Sequence, residues 1–475
     1  MSGWRDISYF TSLKKSIIEM KIIQSVNPYS GEVVGEYSLH SDEEVNDIIK
    51  RASLTFHRQQ KSDKAEGLNQ RCERIKDLSR HLENEKMKLA KLMTMEMGKP
   101  ISQSIGEIEK CAWLCRYYAE KAPEFLADDI ISTDADRSWV SKDGLGVVLG
   151  VMPWNFPFWQ VFRFAVPTYL SGNTLLLKHS SLVTGSALAI RDLFLKIGCD
   201  SGVFQVLVIP GRRVAKVIEN EAVRAVSLTG SEAAGRSVAA VCGQNIKPSL
   251  LELGGNNAAL ILNDADVDRY IDAMVWARFQ NAGQSCIAAK RFIVLPDIYD
   301  EFVDKFTRKC KDLVLGNPMD NQTQLATMAS TELAEELAGQ VKTSIQQGSV
   351  LTLGGQREGA FYSPTILENV EPGNLAFEEE LFGPVAAIVK AENIEEGIEL
   401  VNRSKFGLGL SIFTEDVAGV SQYLPQINEG AVFFNELVKS DPRLPFGGVK
   451  NSGYGRELAE EGLMAFVNKK TVYIK

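Results

Sequence analysis

Histidine is scarce in this chain: four in 475 residues, at His40, His57, His81 and His179, none near another candidate ligand in sequence. Zinc and iron centres draw on clustered imidazole, thiolate and carboxylate ligands, so no metal site is expected. The seven cysteines, Cys72, Cys111, Cys115, Cys199, Cys242, Cys286 and Cys310, are odd in number and scattered, which excludes a disulfide framework and suits reduced thiols in a cytoplasmic protein. Cys111 and Cys115 read as packing residues on one helix face. No run of five like charges occurs and the net charge is −9, so the chain carries no electrostatic footprint for nucleic acid or an anionic membrane surface. Long apolar runs are missing too. Arg5, Asp6, Lys14, Lys15 and Glu19 interrupt the first 20 residues, which read as an extension upstream of a natural start at Met20, and nothing later is built to span a bilayer.

What is present suits an ordinary globular protein: 45% hydrophobic and 24% charged residues, in a chain long enough for two or three domains and a deep cleft. Ser41 stands three residues before Glu44, the spacing of a capping box, and apolar residues then recur at helical intervals. The amphipathic run from Lys64 to Met97 predicts a long helix stopped by Gly98 and Pro100. From Gly146 the texture changes to short β-branched runs, "GVVLGVM", "TLLLK", "FQVLVI" and "RAVSL", separated by helix-like stretches. That alternation predicts an α/β fold with a parallel sheet. A second α/β region follows "LELGGNNAALILND" through "RFIVLP", "FYSPTIL" and "PVAAIVK". "SWVSKDG" (138–144) and "FVNKKTVYIK" (466–475) alternate like exposed strands, and unpaired strands at a chain end invite pairing with another subunit.

Chemistry concentrates in four stretches. "FQNAGQSCIAAKR" places Cys286 among small and polar residues, and a nucleophilic thiol needs a base or a positive field. No histidine lies within about a hundred residues of it in sequence. Glu252 in "LELGGNN" is a lone carboxylate between leucines at a strand end, where desolvation raises its pKa toward general-base use; a strand-end glutamate paired with a lysine is the plainer alternative. In "MPWNFPFWQVFR" two prolines bracket Trp154, Asn155 and Phe156, and the Asn155 amide on so rigid a turn can serve as an oxyanion donor or simply as a turn residue. "SLTGSEAAGR" passes from strand to helix through Gly230 and Ser231, offering free N–H groups to a pyrophosphate without a GxGxxG motif.

Together "PWNFP", "LTGS", "LELGG", "GQSC", "EELFGP" and "PFGGVKNSGYGRE" resemble, in order and approximate spacing, the aldehyde dehydrogenase superfamily, from "VNPYSGE" at residue 26 to the C-terminus. The resemblance implies a modified Rossmann cofactor domain (1–130 and 145–253), an α/β catalytic domain (254–443) and a small β oligomerisation arm (131–144 and 444–475). It implies that Cys286 attacks an aldehyde, that Asn155 and the Cys286 N–H stabilise the oxyanion, and that Glu252 activates water to hydrolyse the resulting thioester. Met152, Pro153, Trp154, Gly230, Ser231, Leu253, Glu380 and Phe382 are implied cofactor contacts. The assembly implied is a homodimer or homotetramer.

Departures from the family pattern carry information. Where relatives have Lys-Pro-Ser-Glu, this chain has Lys178, His179, Ser180 and Ser181. A carboxylate there repels a 2′-phosphate, whereas serine with Lys178 nearby can hydrogen-bond one, so NADP is expected to be accepted and favoured over NAD. Arg163, eight residues after Asn155, matches a tunnel arginine of succinate semialdehyde dehydrogenases and suits a carboxylate, although periodicity alone also allows a helix-surface arginine. A second arginine of several such enzymes is Gln280 here, and Ala288 takes the place of a second thiol, so no redox disulfide with Cys286 is expected. Ser440 and Arg443 are expected on the opposite wall, Arg443 compensating for Gln280, while Trp159 and Phe446 line the apolar part. The pattern most resembles bacterial succinate semialdehyde dehydrogenases. Rival readings are a broad medium-chain aldehyde dehydrogenase with Arg163 turned away, a catalytically silent binding or structural protein on the same fold, and, more distantly, a cofactor-free cysteine hydrolase.

Overall fold

A computed structural model describes residues 22–61 and 64–475, so the expected N-terminal extension lies outside the described residues. Ser41 opens the helix Asp42–Gln59 as its spacing predicts: its hydroxyl accepts from the Glu44 N–H at 3.1 Å, and the Glu44 carboxylate accepts from the Ser41 N–H at 2.7 Å. Two long helices follow, Lys64–Met97 and Ile101–Phe125, packed along each other, with Cys111 and Cys115 fully buried.

The β-rich runs form two sheets. In the first, strands Ser249–Glu252, Val223–Thr229, Val147–Met152, Thr174–His179 and Phe204–Val206 lie side by side and parallel, with the short Gly453–Tyr454 antiparallel at one edge. Side chains alternate between two cores. Val147, Leu149 and Leu176 face one, whereas Val148, Leu175 and Leu177 face the other, beneath the long helices. Burial on both faces is why these strands read as continuous apolar runs. The second sheet has seven strands, six of them parallel, with Ala258–Ile261 and Arg291–Val294 near its centre and apolar clusters on both sides.

The third sheet corrects the expectation for the chain ends. Val467–Ile474 and Arg137–Gly144 pair with each other, antiparallel over eight residues, and Asp129–Ile130 closes the far side. Val467–Ile474 and the two-residue Asp129–Ile130 are the two edge strands of this sheet. Between residues 444 and 466, Gly453–Tyr454 pairs with Ser249–Glu252, and Phe446 bridges to Glu457. Among the described residues no helix is long and apolar enough to cross a membrane.

In the first sheet, the carboxyl ends of three neighbouring strands lead directly into Pro153–Asn155, Gly230–Ser231 and Leu253–Gly255. Open α/β sheets bind ligands in the crevice at this end.

Candidate active site

Cys286 is reached through an unusual turn. Asn281 (φ 54°), Ala282 (φ 51°) and Gly283 (φ 70°) are three successive residues in the left-handed region. For side chains other than glycine this conformation costs energy and persists only where the surroundings over-determine it. They do so here. The Asn281 N–H donates to Gln103 Oε1 at 2.6 Å, and Asn281 Nδ2 donates to the Asn155 carbonyl at 2.8 Å. Buried Arg278 donates to the Gly283 carbonyl at 2.9 Å and also to that of Gly383. Gln284 accepts the Ala329 N–H at 2.9 Å. Beyond the turn, Lys290 Nζ donates to the Ser285 and Cys286 carbonyls at 2.7 and 2.6 Å and pairs with Glu380 at 2.9 Å. A Cβ on Gly255 would stand 2.8 Å from the Cys286 carbonyl, so the "LELGG" loop must be bare for the cysteine loop to lie on it.

Two cavities meet at this thiol, sharing Cys286 and Gln160 on their walls. Burial pushes the thiol up to about 11, against the opposing pull of Lys290 and Arg163. Asn155 is buried; its Nδ2 donates one hydrogen to the Gln284 carbonyl at 3.1 Å, leaving the second for a ligand. Glu252 lies beneath rather than on either cavity wall, 2% exposed, with Oε1 lacking a hydrogen-bond partner. Burial, and then the negative charge of Glu457, hold its carboxyl well above the usual carboxylate range, with Arg163 and Arg456 opposing. The plainer alternative, a strand-end lysine partner, is not what this carboxyl meets.

One cavity, of about 410 Å³, is walled by Pro153, Trp154, Gly230, Ser231, Leu253, Glu380 and Phe382. Trp154 meets Phe382 edge to face at 5.7 Å, and Ser231 caps the helix Glu232–Gln244, whose first N–H groups face this end of the sheet. The buried Thr229 hydroxyl on the same wall has no partner in the protein. These features fit a dinucleotide: a helix start for phosphate, an orphaned hydroxyl, and a carboxylate fixed near the thiol. Met152, Lys178 and Ser181 do not line this cavity. They sit at the ends of adjoining strands: the Met152 carbonyl is taken by the Ser180 N–H at 2.9 Å, and burial lowers the Lys178 pKa.

The other cavity, of about 340 Å³, brings together Trp159, Arg163, Gln280, Ser440 and Phe446 with Cys286. Arg163 is buried, not a helix-surface residue. Its Nε stands 2.8 Å from Glu457 Oε2 without hydrogen-bond geometry, its Nη2 donates to Gln160, and its guanidinium lies 4.6 Å from the centre of the Phe446 ring. Arg443 is the correction. Its side chain is 64% exposed, points away from the cavity and grips Asp441 through two hydrogen bonds of 2.9 and 2.7 Å, so it does not compensate for Gln280. Ala288 is buried beside the loop.

Sequence reasoning missed Lys110, Arg278, Lys290, Gln160 and Glu457. Lys290 carried a signal, a basic residue four places after the cysteine, followed directly by Arg291. Lys110 carried a fainter one, a lysine next to Cys111 and near Glu107, two residues of the helix's buried stripe. Arg278 and Glu457 become meaningful only once distant segments meet.

The chain matches the aldehyde dehydrogenase family over residues 17–472. A protein of Synechocystis named probable succinate-semialdehyde dehydrogenase [NADP(+)] is 43% identical over 455 residues, 95% of this chain and 99% of that one. The succinate-semialdehyde dehydrogenase [NADP(+)] of Mycobacterium avium is 43% identical over 458 residues, 95% and 96% of the two chains. The crystal structure of succinic semialdehyde dehydrogenase from Streptococcus pyogenes, in complex with NADP+, superposes with a TM-score of 0.92 at 38% identity, covering 95% of this chain and 99% of that one.

Proposed function

Because the chain belongs to the aldehyde dehydrogenase family, we propose that it oxidises succinate semialdehyde to succinate with NADP+. The observation that carries this reading is a single cavity with a thiol on one wall and a buried guanidinium on another, enclosed by aromatic side chains. An aldehyde with a carboxylate at its far end matches both groups.

In this reading the Cys286 thiol releases its proton to solvent and Sγ adds to the aldehyde carbon. The charge that develops on oxygen is met by the second Asn155 Nδ2 hydrogen and the Cys286 backbone N–H. A dinucleotide bound in the neighbouring cavity supplies the hydride acceptor. The acyl group left on Sγ is a thioester, and Glu252 takes a proton from the water that hydrolyses it. A buried carboxyl with a raised pKa is a stronger base once ionised. Lys290 holds the cysteine carbonyl and Glu380 together, fixing the thiol against the cofactor side.

Lys178 and Ser181, with no carboxylate at that strand end, support NADP+ over NAD+. All seven cysteines are free, which supports a cytosolic setting, and the open edge of Val467–Ile474 supports a homodimer or homotetramer. The test compares kcat/KM for succinate semialdehyde, glutarate semialdehyde and butanal with each cofactor. Succinate semialdehyde with NADP+ should give the highest value; butanal matching it, or a strong preference for NAD+, overturns the corresponding half of the proposal.

A further inference from the structure

We propose that Lys110 is the second cation of the substrate cavity, binding the far carboxylate together with Arg163 and Ser440 and so setting specificity for a negatively charged aldehyde. The proposal rests on the semialdehyde reading above.

Arg163 alone is a weak anion site. Its charge is shared with Glu457 at 2.8 Å, one of its nitrogens is committed to Gln160, and the neighbouring Gln280 is neutral while Arg443 points away. Lys110, on the helix Ile101–Phe125, lines the same cavity. Its Nζ donates to Ser440 Oγ at 2.9 Å and lies 4.2 Å from the centre of the Trp159 ring.

The carboxylates that act on Lys110 are both engaged elsewhere. Glu107 pairs with Lys99 and accepts the Phe158 and Trp159 N–H groups at 2.8 and 2.9 Å, and Asp441 is held by Arg443. Among the described residues Lys110 therefore has no ion-pair partner. The neighbouring Cys111 thiol is pushed upward by burial and stays neutral.

Donor counting points the same way. An ammonium has three hydrogens, and Lys110 uses one on Ser440. Ser440 Oγ accepts from both Lys110 and Trp159 Nε1, at 2.9 Å each, which leaves its own O–H to donate. Two ammonium hydrogens, one hydroxyl hydrogen and the remaining guanidinium edge thus converge on one cavity, and an incoming carboxylate supplies the acceptor they lack.

Burial, with Arg163 next, lowers the Lys110 pKa to about 8. The groups facing it are Arg163, Cys111, Glu107 and Asp441. The ammonium is therefore charged at neutral pH and lost as the pH rises past that value, unless a bound anion holds it.

The test reads the ratio of kcat/KM for succinate semialdehyde to that for butanal, in the unaltered enzyme, Lys110→Met and Lys110→Arg. Lys110→Met should lower the ratio roughly tenfold or more, mainly through KM, the scale of one charge-assisted hydrogen bond, with Lys110→Arg recovering most of it. In the unaltered enzyme KM for succinate semialdehyde should climb as the pH passes about 8 while KM for butanal does not. A ratio unchanged in folded Lys110→Met sinks the role of Lys110 and leaves the semialdehyde reading standing. A ratio near one in the unaltered enzyme sinks both. If Lys110→Met does not fold, the pH profile decides, and a flat KM for succinate semialdehyde overturns the proposal.

Discussion

The thiol of Cys286 is kept protonated by its own burial, and the positive groups around it only soften that effect. The thiolate is a very small minority form at neutral pH. Inactivation by iodoacetamide should therefore keep accelerating with pH beyond the ordinary thiol range, and a plateau at ordinary thiol values would contradict the burial argument. Glu252 obeys the same logic: burial favours its protonated, neutral form as well. Its ionised, basic form is therefore reached only at higher pH than for a free carboxylate, so turnover should rise with pH above the ordinary carboxylate range. Glu252→Gln should still form the thioester but fail to hydrolyse it. Stopped-flow mixing should then show about one equivalent of reduced cofactor per site, followed by little further turnover; undiminished steady-state rate would remove Glu252 from the base role. Outside the cavity of about 410 Å³, just past the strand Thr174–His179, Ser181→Glu would place a carboxylate. The kcat/KM ratio of NADP+ to NAD+ should drop by roughly tenfold or more, the cost of one unfavourable charge contact in a partly dry site.

The turn before Cys286 shows where sequence reading succeeds and where it stops. A helix such as Lys64–Met97 is written in local pattern, periodicity ended by glycine and proline, and the strands buried on both faces announce themselves by β-branched runs. The identity of Cys286, Glu252 and Asn155 as chemical candidates was equally legible, because a thiol, a carboxylate and an amide in those settings are unusual. Left-handed Asn281 and Ala282 were not. Their conformation is imposed by Arg278, Gln103 and Asn155, which come from separate elements. Arg443 failed for a related reason: proximity in sequence to Ser440 says nothing about which way a loop arginine turns, and Asp441 two residues away captures it. Within the turn, Gly283 is the position with least freedom. A Cβ there would stand 2.3 Å from the Gly383 carbonyl, so Gly283→Ala should displace the loop and cost far more in kcat than in thermal stability. Equal loss of both would indicate general unfolding instead.

On the scale of the whole molecule, the C-terminal strand is the most exposed construction. Val467–Ile474 lies on one flank of its sheet with its outer edge unpaired, carrying Lys469 and Lys470 near its middle and Tyr473 and Ile474, each about half exposed, at its end. Lysines on an edge discourage indiscriminate strand addition, while the terminal apolar pair provides something to bury. Removing residues 467–475 should leave the body folded, with its two sheets intact, but reduce the mass seen by light scattering on size exclusion to that of a single chain. An unchanged assembly would move the interface elsewhere. The two cavities that meet at Cys286 have a broader consequence. Cys286 and Gln160 are the wall residues common to both, so occupants of the two cavities would meet at the thiol without competing for space elsewhere.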